Sequence, residues 1–128
     1  MTKRAVRTEK APAPFQGAPY NQAIVHGDLV FVAGQLGIDP ETSQVVEGGI
    51  GPQTERVLEN VRAILEEAGS GLDKVLKTTI YLVDLGDFQG MNEVYARMMG
   101  DTYPARATIE IGALPSGALV EIEAVAHL

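Results

Sequence analysis

The chain has 128 residues, 45% of them hydrophobic and 21% charged, with ten basic against seventeen acidic side chains and a net charge of −7. That length suits one domain around one core, and the acidic balance works against binding a phosphate backbone. With no cysteine, disulfides, thiolate nucleophiles and cysteine-held metals are excluded.

The N-terminal "MTKRAVRTEKAPAPF" is basic but lacks an apolar stretch, so no secretory signal is expected. No apolar run approaches the ~20 residues of a membrane span. A cytoplasmic protein without a membrane or nucleic-acid partner is the expectation. Whether residues 1–10 form a strand is not decided by their pattern. Residues 22–26 ("QAIVH") and 29–33 ("LVFVA") flank Gly27 and Asp28, a two-residue hairpin signal. Turns around a short strand follow, starting at Asp39 and Pro40.

From Pro52 to Ala68 the apolar residues Val57, Leu58, Val61, Ile64, Leu65 and Ala68 form one stripe of an amphipathic helix, with Gly69 placed to stop it. Residues 73–85 are rich in β-branched side chains and read as a central strand. Asp87 is placed to cap a second helix, 88–99, with the stripe Phe88, Met91, Tyr95, Met98 and Met99. The last two strands are expected at about 105–111 and 118–127. Two helices cannot cover both faces of about six strands. They should lie on one face and leave the other for another copy of the chain. The pattern is that of an α+β domain, 1–128, that assembles.

Arg106 sits on a short, largely apolar strand just after Pro104. If the final strand pairs back on it as a hairpin, Glu121 comes within about one pair of Arg106. A cross-strand ion pair at an edge and a shared acid–base site are both open, and spacing alone favours the ion pair. His26 and His127 have no metal-ligand spacing. There is no Gly-x-Ser-x-Gly elbow, phosphate loop or dinucleotide fingerprint. No metal and no cofactor are expected. Tyr20, an aromatic with a polar tip after Pro19, is placed to line a pocket or to pack at a strand entrance.

The segments "PYNQAIVHGDLVFVAGQLGIDPETSQVVEGG", "VLENVRAILEEAG", "VLKTTIYLVDLGDFQGMNEVY" and "YPARATIEIGALPSGALVEIEAVA" together resemble the Rid, or YjgF-type, family of enamine and imine deaminases. The resemblance runs from about Ala18 to Ala126. It implies a chorismate-mutase-like α+β fold, a mixed sheet of about six strands with two helices on one face, assembled as a homotrimer with sites in the clefts between subunits. It also implies cofactor-independent hydrolysis of 2-imino acids, formed from 2-aminoacrylate and its analogues, to 2-keto acids and ammonium.

By the same resemblance Arg106 holds the substrate carboxylate and Glu121 positions the attacking water. Tyr20, Asn92 and Thr108 are further substrate contacts. Two positions depart from the family pattern: Ala33 stands where members often have serine, and Thr108 where they often have cysteine. Three alternatives remain on the sequence: a non-catalytic keto-acid binding module of the same fold, an RNA-cleaving relative, and a deaminase dedicated to one breakdown pathway.

Overall fold

The computed structural model describes residues 2–128. A short strand, β1 (Arg4–Val6), is followed by the hairpin of β2 (Ala23–His26) and β3 (Leu29–Leu36). Gly27 turns this hairpin at φ 60°, where a side chain would be strained. A small ribbon, β4 (Ile38–Asp39) with β5 (Gln44–Val45), leads into α1 (Ile50–Ala68). Then come β6 (Val75–Leu82), α2 (Phe88–Met98), β7 (Ala105–Glu110) and β8 (Val120–His127). The first ten residues thus supply an edge strand.

The six-stranded sheet runs β1-β2-β3-β8-β6-β7 and is mixed. Only β6 and β7 are parallel, joined through α2 as a crossover. Both helices cover one face. The predicted stripe of α1 is buried in full, against Val30, Val32, Ile80, Ile122, Ala124 and Ala126 of the sheet. Each fully buried Leu or Ile of that stripe contributes about 1.5–3 kcal/mol relative to exposure. Gly69 ends α1 in the left-handed conformation at φ 94°, its N–H donating to the Glu66 and Leu65 carbonyls.

The helices differ from expectation at two places. Asp87 makes no capping bond to α2. The chain enters α2 through a 3-10 turn, Leu85–Asp87, closed instead by Asp84, whose carboxylate accepts from the Gly86 N–H at 2.7 Å. Phe88 is 39% exposed and outside the core, while Val94 joins Met91 and Tyr95 inside it.

The expected hairpin between the last two strands does not form. β8 inserts between β3 and β6, antiparallel to both, and β7 pairs only with β6. Burial explains the order. Val120, Ile122, Ala124 and Ala126 are all at most 4% exposed, so β8 needs neighbours on both sides, whereas β7 has no buried residue and suits an edge. Arg106 therefore lies opposite Thr78, and Glu121 opposite Tyr81 and Leu36.

The second face of the sheet is uncovered within the chain. Leu29, Phe31 and Ile109 point to it, 38%, 46% and 46% exposed. Phe31 stands opposite Val125 and Ile109 opposite Tyr81.

Candidate functional site

Arg106 and Glu121 lie on opposite faces of the sheet. Arg106 shares a face with its partner Thr78, which is buried and bonded to Tyr95 of α2. Glu121 alternates with Val120 and Ile122, which point to the helices, so its carboxylate points away from them. Within one chain the two expected site residues are not brought together, and the cross-strand ion pair does not exist.

Arg106 occupies a cleft at the start of β7. Pro104 precedes the strand, and α2 forms the opposite wall. The guanidinium carbon lies 5.0 Å from the centre of the Tyr95 ring and 5.5 Å from that of Phe88. The rings attract the cation and hold its plane without consuming its N–H donors. Tyr95 is held in turn, its Oη 2.8 Å from Thr78 Oγ1. Burial raises the Tyr95 pKa, opposed by the Thr78 bond and the Arg106 charge, so the phenol stays neutral.

Asn92, Ala96 and Tyr103 complete the cleft, of about 340 Å³. Among the described residues no carboxylate pairs with Arg106. Two buried polar atoms on its side, Asn92 Oδ1 and Thr108 Oγ1, also lack a hydrogen-bond partner. A planar cation with free donors is suited to a small anion of carboxylate shape, whereas Asn92 Oδ1, an acceptor, calls for a donor instead.

Glu121 and Tyr20 share a different and larger cavity, of about 720 Å³. Its lining is largely apolar, with Pro14, Phe15, Ala33, Leu36, Ile38 and Pro115 prominent. The N-terminal arm that walls it is fastened by Gln22, which is 2% exposed. Gln22 Oε1 accepts from the Thr8 N–H at 2.7 Å, and Nε2 donates to the carbonyls of Thr8, Ala11 and Pro12 at 3.0, 3.2 and 2.8 Å. Tyr20 Oη accepts from the Phe15 N–H at 2.6 Å, which ties the tyrosine to the 3-10 turn Phe15–Gly17.

Three non-glycine residues with positive φ, Gln16, Ser43 and Ser116, border this cavity or adjoin its lining. Strained backbone of this kind gathers where a loop is held in a functional shape.

Glu121 is half-buried and its pKa is raised, first by desolvation and then by the negative charge of Glu123 two residues on. Glu123 accepts a hydrogen bond from Tyr81 Oη at 2.6 Å. That bond and burial raise the Tyr81 pKa in turn. A carboxylate kept out of water beside a cavity is a candidate proton carrier or water-holding group. No group of three metal-ligating side chains occurs among the described residues. Nor is any described helix long and apolar enough to cross a membrane.

Sequence reasoning missed Gln22, Phe88 and the backbone beneath Glu121. For Gln22 the available signal was an amide at the entrance of an apolar strand. For Phe88 it was an aromatic on a helix face that the first turn leaves open.

Comparison with known proteins identifies the family of the chain. The family model described as Endoribonuclease L-PSP matches residues 8–128. A RutC family protein of Pyrococcus abyssi is 53% identical over 127 residues, 99% of this chain and 98% of that one. The chloroplastic Reactive Intermediate Deaminase A of Arabidopsis thaliana is 47% identical over 128 residues, 100% of this chain and 67% of that one. The crystal structure of E. coli TdcF with bound serine superposes with a TM-score of 0.91 at 33% identity, covering 98% of each chain. The chain belongs to the Endoribonuclease L-PSP family, the Rid or YjgF-type family that its motifs resemble.

Proposed function

We propose that the chain is a 2-imino acid deaminase that works as a homotrimer, its sites formed where the Arg106 cleft of one subunit meets the Glu121 cavity of the next. The observation that carries this reading is the unpaired Arg106 guanidinium, held near the Tyr95 and Phe88 rings in a cleft walled by Asn92 and Tyr103. It is a receptor for a carboxylate and lies on the face opposite the carboxylate expected to handle water. Two complementary half-sites on one chain meet only between copies, and the exposed apolar residues of the open sheet face supply surface for that contact. The serine bound to TdcF and the printed name of the Arabidopsis relative support a small amino-acid-like substrate and a deaminating reaction.

The chemistry follows from these groups. Arg106 takes the substrate carboxylate through two parallel hydrogen bonds and so fixes C2 of the imine. Water held by Glu121 adds to C2 as the carboxylate accepts its proton. The imine nitrogen takes up a proton in the resulting carbinolamine, the C–N bond breaks, and the hydroxyl proton is lost as the C=O forms. One water is consumed, and one keto acid and one ammonia leave. An imine is electrophilic enough to need no covalent nucleophile. The net charge of −7 counts against RNA as the substrate.

The test couples an amino-acid dehydratase, which releases enamine, to a keto-acid readout under conditions where imine hydrolysis is slow. Acceleration by the protein, lost in Arg106→Ala, supports the reading. Binding of keto acids without acceleration would leave a binding module of the same fold and overturn it. Activity that survives Glu121→Ala would remove that residue from the chemistry.

A further inference from the structure

We infer that Gly34 is a positioning residue for Glu121: it is glycine so that the Glu121 carboxyl can lie against the backbone of β3. The inference rests on the deaminase reading for its consequence, but not for its geometry.

β3 carries a bulge. Val32 pairs with Ala124 and Gln35 with Ile122, so Ala33 and Gly34 together stand opposite Glu123 alone. The extra residue reverses the alternation. Before it, Leu29 and Phe31 point to the open face; after it, Leu36, paired with Glu121, does so. Ala33 and Gly34 both border the Glu121 cavity. A Cβ on Gly34 would fall 2.8 Å from Glu121 Cδ and 3.1 Å from Cγ, and would overlap Oε1. The φ of Gly34 is not in the left-handed region, so backbone freedom does not explain the glycine there. The space is taken by the carboxyl.

Gly37, three residues on, gives the contrast. A Cβ there meets the Gln53 backbone, Cα and O both at 2.9 Å, which cannot retreat without moving α1. At Gly34 the obstacle is the far end of one flexible side chain. A methyl group at Gly37 should therefore cost stability. A methyl group at Gly34 should displace the carboxyl and leave the fold alone.

The experiment compares wild type with Gly34→Ala, Glu121→Ala and the double variant. Imine hydrolysis and thermal midpoint are measured for each, and the Glu121 titration, followed by carboxyl-carbon NMR, for wild type and Gly34→Ala. In Gly34→Ala, kcat should fall about tenfold to a hundredfold, since a displacement near 1 Å at a reacting group has that effect. KM should change less than twofold, because the carboxylate clamp is untouched. The Glu121 titration should move toward the ordinary carboxylate range as the group is pushed into water.

The thermal midpoint should hold within about 2 °C, and Gly34→Ala should cost nothing further when Glu121 is already Ala. If Gly34→Ala folds only in the Glu121→Ala background, the steric coupling is also established. Unchanged kcat and titration would overturn the inference. So would an equal loss of stability with and without Glu121, which would make the glycine structural. If wild type hydrolyses no imine, the deaminase reading fails, while the NMR titration still decides whether Gly34 positions the carboxyl.

Discussion

At the scale of single residues, the site depends on where two charges are kept. Arg106 is held by rings rather than by a carboxylate, so its donors stay free. Arg106→Lys retains the charge but loses the fork and the stacking. We expect kcat/KM to fall about 10- to 150-fold, the equivalent of the ~1.5–3 kcal/mol of hydrogen bonds to a charged group, measured by steady-state kinetics on the variant. Glu121 must be ionised to accept a proton, and burial raises its pKa. Activity should therefore rise with pH along an acid limb lying above the ordinary glutamate value of about 4.3. Glu123→Gln removes the second cause of that shift and should move the limb to lower pH; a pH–rate profile of the two proteins decides it.

At the scale of elements, the stripe of α1 and the faces of β8 were legible because they rest on periodicity alone, whereas Phe88 of α2 and the bulge of β3 depart from it. Val57, Leu58, Val61, Ile64, Leu65 and Ala68 are buried as their spacing requires. Strand order was not legible. A period of two assigns residues to faces but does not name the neighbour, so β7 and β8, adjacent in sequence, looked like a hairpin. Arg106 and Glu121 could be named as candidates from their motif, but their separation onto opposite faces came only with the strand order. Side-chain bolts were also invisible. Asn60, fully buried on α1, donates from Nδ2 to the carbonyls of Leu36 and Ile38 at 3.1 and 2.9 Å, while Arg56 Nε donates to its Oδ1 at 3.0 Å. This bolt holds the end of β3 to the helix. Asn60→Ala leaves both carbonyls unpaired and should destabilise the protein by about 1–3 kcal/mol, read by chemical denaturation.

At the scale of the whole molecule, the proposed division of the site between copies makes a prediction that no single chain can satisfy. Arg106→Ala and Glu121→Ala proteins, each inactive alone, should recover activity when unfolded together and refolded as mixed assemblies. With random mixing and one cleft per neighbouring pair, about one quarter of the sites regain both residues. Absence of recovery in assemblies shown to be mixed would place both residues in separate functions. The sheet order has a further consequence, for the timing of synthesis. β8, the last described strand, lies in the middle of the sheet, with β1, β2 and β3 on one side and β6 and β7 on the other. A chain emerging from the ribosome therefore carries two unjoined flanks until β8 appears. Its core closes only once β8 is made rather than growing steadily with synthesis, and until then the apolar stripe of α1 lacks the central strand against which it packs.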